Sequence, residues 1–273
     1  MSAWSAGLIA LFVWWFSTGA ILWLVKTADR KSPAAGLRIT LWALPLLALG
    51  AVGFWLTLSD TSATGALLAF LSALCIWGWI ELAFLTGVIT GPNTYPLPAD
   101  TPEWGRFIRA WGTLAYHEML LVAALIIMVL AGHDAPNIFG VWTFVVLFFA
   151  RLSAKLNLFW GVPRINVDFL PRALTHLATY FRIRPLNWLF PVSVSALSFA
   201  TACWLERIYA AQTQGQVVGF ALLTAITALA LLEHWVMVLP IPDEKLWRWM
   251  LPAPTQPEHK TTPLNHQGGH HGL

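Results

Sequence analysis

The chain has 273 residues, of which 58% are hydrophobic and only 11% charged, against roughly 25% charged in a soluble domain. A net charge of +3, with Lys and Arg mostly in a few loops, excludes a nucleic-acid-binding stripe and leaves a polytopic membrane protein. The two cysteines, Cys75 and Cys203, both fall inside apolar runs, which argues against a disulfide framework and against a CxxC metal site.

Seven runs reach the ~20 residues that a bilayer demands. The first, 3–25, is Trp-rich, has no basic residue before it and no small-residue cleavage pattern after it, so a span and not a signal peptide is expected. The second covers 37–58. The third, 65–90, carries Glu81, and the proline-rich connection after it reads as extended. The fourth, 107–131, carries the adjacent pair His117-Glu118, and the fifth, 138–159, carries Arg151 and Lys155. The connection 160–171 leads into 172–181, which includes His176 and reads as a short interfacial helix with arginines at the headgroups. The sixth and seventh runs are 188–209 and 217–239, the last carrying Glu233-His234. The expected fold is therefore all-α, a seven-helix transmembrane bundle over 1–251. A disordered Pro-, His- and Gly-rich tail over 252–273 follows, its His259, His266, His270 and His271 a weak metal-binding tract.

Charge sets the orientation. Lys26, Arg30, Lys31 and Arg38 sit in the first connection, Arg106 and Arg109 at the end of the third, Arg164, Arg172, Arg182 and Arg184 in the fifth, and Lys245, Arg248 and Lys260 in the tail. The alternate connections, around Asp60, around His133-Asp134 and at 212–216, hold none, and only Arg207 borders them. The positive-inside rule then places the N-terminus in the periplasm and the C-terminus, with the working face, in the cytoplasm.

Ionisable groups inside hydrocarbon cost several kcal/mol, so they are paired, hydrated or functional. Counting from the cytoplasmic ends at 1.5 Å per residue, Glu81, His117 and Glu233 lie roughly 14, 15 and 9 Å deep in a core ~30 Å thick. That shared layer predicts one cavity between the third, fourth and seventh spans. Arg151 and Lys155, one turn apart, are expected to stretch toward the interface.

Four readings suit these residues. In the first they neutralise one another as packing groups. In the second, Glu81, His117, Glu118, Glu233 and His234 hold a metal such as iron in an oxidoreductase. A standard di-iron site is disfavoured, because Leu114 and Leu231 stand where Glu-x-x-His motifs need the acid. In the third, His117 and His234 ligate a tetrapyrrole. Thr113 and Ala230 one turn earlier would let a flat ring approach, and Glu118 and Glu233 would fix the imidazole tautomers. Proton relay or transport is the fourth.

Several motifs carry a resemblance: the Trp-rich first run, Ala115-Tyr116-His117-Glu118, Asn157-Leu158-Phe159-Trp160-Gly161-Val162-Pro163-Arg164-Ile165-Asn166 and Leu232-Glu233-His234-Trp235. Over nearly the whole chain before the tail, the sequence resembles the PuhE-type photosynthetic-complex assembly proteins of phototrophic purple and related bacteria. The resemblance implies an assembly factor of the inner (intracytoplasmic) membrane, embedded among lipids. It implies reaction-centre and core-antenna subunits or pigment-synthesis enzymes as partners, and bacteriochlorophyll or a precursor tetrapyrrole as the candidate cofactor. It supplies no catalytic residue.

Overall fold

The computed structural model describes residues 1–165, 167 and 170–240. The expected tail at 252–273 with its histidines, together with Lys245, Arg248, Lys260, Asn166 and Asp168, lies outside them. Among the described residues there are eight α-helices and one 3-10 helix, with no strand: α1 (Ala3–Lys31), α2 (Pro33–Trp42), α3 (Leu44–Thr57), α4 (Ala63–Leu85), α5 (Glu103–Ala131), α6 (Phe139–Trp160), the 3-10 helix Arg172–Tyr180, α7 (Leu189–Ala210) and α8 (Gln214–Val236). Taking α2 and α3 as one, seven segments are long and apolar enough to cross a membrane.

The helix ends follow from local chemistry. Ser2 accepts the Ser5 N–H at 3.1 Å and Ser62 the Gly65 N–H at 3.0 Å, while Thr213 and Gln216 form a reciprocal capping box at α8. The second expected span is not one helix. Pro45 has no N–H to offer the Leu41 carbonyl and crowds it, so the chain turns at Ala43, whose N–H reaches Ile39 O at 3.0 Å. The third ends earlier than expected, at Leu85. Gly87 adopts φ +78, and the N–H groups of Val88 and Ile89 both return to Ala83 O at 2.9 and 3.0 Å. That left-handed turn suits glycine. The first runs on past 25 to Lys31, its last-turn Arg30 and Lys31 matching the helix dipole.

Helices α4 and α8 are the inner ones, more than half buried, and the rest present mostly lipid-facing surface. Small residues allow that close approach. Ala66 of α4 and Ala221 of α8 pack with Ala6 and Ala10 of α1 around Phe70. Gly50 and Gly53 bring α3 against Ile76 and Ser72.

The connections sort onto two faces. On one, Gln214 donates to the Met1 carbonyl, the Asn137 N–H reaches Leu58 O at 3.0 Å, and its side chain reaches Asp60 O at 2.8 Å. On the other, the arginine-bearing face, the Arg172 N–H meets Asp29 Oδ2 at 3.1 Å, the Leu97 N–H meets Thr179 Oγ1 at 2.9 Å, and the Arg164 N–H meets Met237 O at 3.2 Å. The segment expected to lie as an interfacial helix is instead a packed plug. Its Leu174 and Leu177 are buried in a cluster with Phe84, and Leu85 and Leu114 pack against it, so the 3-10 helix closes this end of the bundle.

Candidate functional site

A cavity of about 800 Å³ lies in the arginine-bearing half. Trp14 of α1, Phe84 of α4, Leu114 of α5, Arg151 and Lys155 of α6 and Glu233 of α8 contribute to its walls, and the 3-10 helix and part of the 163–170 connection close it. Most of the lining is apolar, so the few charges define where polar chemistry is possible.

Helix α6 supplies the cations. Arg151 and Lys155 are four residues apart and share a face. They do not stretch toward the interface as expected but turn into the bundle. Arg151 Nη2 lies 3.2 Å from Glu81 Oε2 on α4, and Lys155 Nζ lies 2.5 Å from Glu118 Oε1 on α5. Lys155 also stands 5.5 Å from the centre of the Phe84 ring. The physical reason is the depth of the acids. The Glu81 and Glu118 side chains are 8% and 4% exposed, and a carboxylate left without a counter-charge there costs more than ordering a long side chain.

His117 is fully buried, with its ring 4.3 Å from that of Phe84 at 29°. Its Nε2 is 3.8 Å from Glu81 Oε1, too far for a hydrogen bond, and neither ring nitrogen nor Glu81 Oε1 has a hydrogen-bond partner among the described residues. The His117 backbone N–H donates to Thr90 O at 3.0 Å, tying the turn after α4 to α5. His234 is also buried, but both its nitrogens are engaged, Nε2 with Ser153 Oγ at 2.9 Å and Nδ1 with Ala230 O at 2.8 Å. The neighbouring Glu233 accepts the Trp14 indole N–H at 3.0 Å. In the 3-10 helix, burial holds the His176 imidazole below its ordinary value of 6.5.

Glu81, His117 and Glu118 thus come together with Arg151 and Lys155, while His234 faces α6 and Glu233 faces α1. Of the five expected ligands, Glu233 borders the cavity, and the two histidines do not face one site. Neither histidine pairs with the acid beside it in sequence, because adjacent helical residues point about 100° apart. Among the described residues, no three His, Cys, Asp or Glu side chains are grouped to hold a metal ion. Trp14 and Phe84 were missed as site residues; the one signal was an indole well inside its run. Arg106, read as a loop charge, is 2% exposed and clamps the Phe159 and Tyr180 carbonyls through Nη2. Sequence position gave no sign of that.

No solved structure matches this chain. The chain is 54% identical over 254 residues to a Rhodobacter capsulatus protein named "Uncharacterized 30.4 kDa protein in puhA 5'region", covering 93% of each chain. Residues 1–258 match a single family along their whole length, and the chain belongs to that family, described as "Protein of unknown function (DUF3623)".

Proposed function

We propose that this chain is a multi-pass inner-membrane factor for assembly of the photosynthetic reaction centre and its core antenna, acting on the supply or insertion of bacteriochlorophyll or a precursor. The observation that carries this reading is the relative's place beside the photosynthesis gene puhA. Its match along nearly the whole chain makes a shared role the simplest account. The cavity supports it physically. About 800 Å³ of mostly apolar space suits a flat macrocycle, Phe84 and Trp14 offer ring faces, and Arg151, Lys155 and Glu233 offer polar contacts at its inner end. In this reading the arginine-bearing face is cytoplasmic, and residues 1–251 form the membrane domain with 252–273 as a tail.

The fit to histidine ligation is uneven. His117 keeps two unpartnered ring nitrogens, both buried, and is the candidate ligand, reached only if its surroundings open. His234 is bonded on both nitrogens and braces α6 against α8. The alternative, an oxidoreductase with an atypical metal site, rests on the same His117 with Glu81 Oε1 3.8 Å from its Nε2.

The test is a chromosomal Ala154→Trp replacement, which pushes an indole into the cavity from α6. The variant is expected in the membrane at parental abundance, with the near-infrared absorption of assembled complexes reduced several-fold. Parental complex yield at parental abundance would refute the cavity's role. Parental yield in a strain lacking the gene altogether would refute the assembly reading itself.

A further inference from the structure

On the arginine-bearing face, outside the cavity, two guanidinium groups pair with one carboxylate, and a third arginine, Arg184, follows two residues after one of them. Arg106 Nη1 lies 3.6 Å from Glu103 Oε2, and Arg182 forms an ion pair with Glu103. One acid against three bases leaves the group with a surplus of about two positive charges, and like charges so close repel unless an anion joins them.

The cluster is held in place by the backbone. Arg106 is 2% exposed; its Nη2 donates to the Phe159 and Tyr180 carbonyls, and its guanidinium carbon sits 3.8 Å above the Phe159 ring. Its Nη1 has no hydrogen-bond partner among the described residues. Arg182 and Arg184 flank a short bridge, in which the Val162 N–H meets Arg182 O at 3.1 Å and the Arg184 N–H meets Val162 O at 3.2 Å. Residues two apart in an extended segment share a side, so both arginines lie together and Ile183 points away, 77% exposed. The Arg184 stem lies across Gly161, whose φ of +116 favours glycine and where a Cβ would stand 3.0 Å from three Arg184 side-chain carbons. A positive-inside signal needs only charge in a loop; it needs neither a buried arginine with an unpartnered nitrogen nor a pinned pair beside it.

The depth of the cluster is marked by exposed indoles. Trp104 is 72% exposed and stacked on Phe107, and Trp188 is 67% exposed beside Trp160. Tryptophans so placed sit at the headgroup level.

We infer that Arg106, Arg182 and Arg184 form a binding site for a phosphate-bearing anion, supplied by the headgroup of an acidic phospholipid. Arginine's planar fork matches phosphate oxygens two at a time. Glu103, 63% exposed, occupies the site in competition with the ligand and keeps it from closing permanently on any anion. The inference is independent of the pigment reading and of which complex the protein serves.

The test uses the full chain in mild detergent, titrated with phosphatidylglycerol and with phosphatidylcholine of the same acyl chains, bound lipid being counted by native mass spectrometry. The parent is expected to retain phosphatidylglycerol in preference. R182Q/R184Q should lower that retention roughly thirtyfold, the loss of two cations at a charged surface. Arg106 is left in place because it holds backbone carbonyls. Arg109→Gln, on the same helix outside the cluster, should lower retention far less, by no more than about fivefold for one surface cation. Glu103→Gln should raise retention, a gain that misfolding cannot mimic. Equal retention of both lipids by the parent, or an unchanged preference in R182Q/R184Q, overturns the proposal. So does millimolar inorganic phosphate that displaces the lipid from the parent, since it would make the site one for a soluble anion.

Discussion

At the scale of single residues, the buried charges divide into pairs whose loss is costly and one group whose loss is not. Lys155 and Glu118 are 17% and 4% exposed and in direct contact. Lys155→Ala therefore leaves a carboxylate alone in a low-dielectric interior, and should destabilise the folded protein by about 3–5 kcal/mol. Thermal unfolding in detergent would show it as a lowered Tm, and a Lys155→Met/Glu118→Gln double variant should recover most of the loss. His117 is the opposite case. Its ring nitrogens have no hydrogen-bond partner, and a buried polar group left so costs about 1–3 kcal/mol. His117→Phe should keep or raise the Tm while lowering the yield of assembled complex. A parental yield would leave His117 as packing against Phe84. This contrast between stability and yield tests the residue's role directly.

At the scale of elements, the 3-10 helix decides whether the cavity is closed. Leu174, Leu177 and Tyr180 are buried, and His176 is buried with them at 8% exposure. Burial lowers the His176 value from 6.5, so the unfolded or undocked segment takes up a proton that the docked one resists. Docking is thus fully favourable above about pH 6.5 and weakens as pH falls below it, until the docked imidazole itself is protonated. Hydrogen exchange across residues 172–180 should accelerate between neutral pH and pH 5, after correction for the intrinsic pH dependence of exchange. His176→Phe should abolish the residual change. A corrected exchange rate that does not vary with pH in the parent would contradict this account. The break between α2 and α3 is an element-scale feature of another kind, set by one proline and visible in sequence as Pro45 inside an apolar run.

At the scale of the molecule, seven spans place the two ends of the membrane domain on opposite faces. The N-terminus sits with the loops around Asp60 and Asn137, and the end of α8 sits with the arginine-bearing loops. With those arginines inside, a phosphatase fused after residue 240 should be inactive in the periplasm, and one fused at 212 should be active. The reverse pattern would invert the topology while leaving the bundle unchanged.

Sequence by itself determined the seven spans, because ~20 apolar residues can satisfy their backbone in a bilayer only as helices. It also determined how the connections alternate between faces, because arginines accumulate on every second one. The common depth of Glu81 and His117 was legible too, since rise per residue is fixed. Which side chains meet at that depth was decided by tertiary structure. Helix rotation about its own axis sets the partner, and the α4, α5, α6 and α8 rotations gave Glu81 to Arg151, Glu118 to Lys155, and Glu233 to Trp14. A single run carries little sign of its rotation when apolar residues cover every side, as in α4, whose residues packed with α8 include Ala66, Phe70, Leu67 and Leu71 and form no polar–apolar stripe. The arginine cluster was hidden for the same reason. Arg106 meets Glu103 within its own helix, but Arg182 and Arg184 lie more than seventy residues further on, and only the fold of the connection after α6 brings that segment to them.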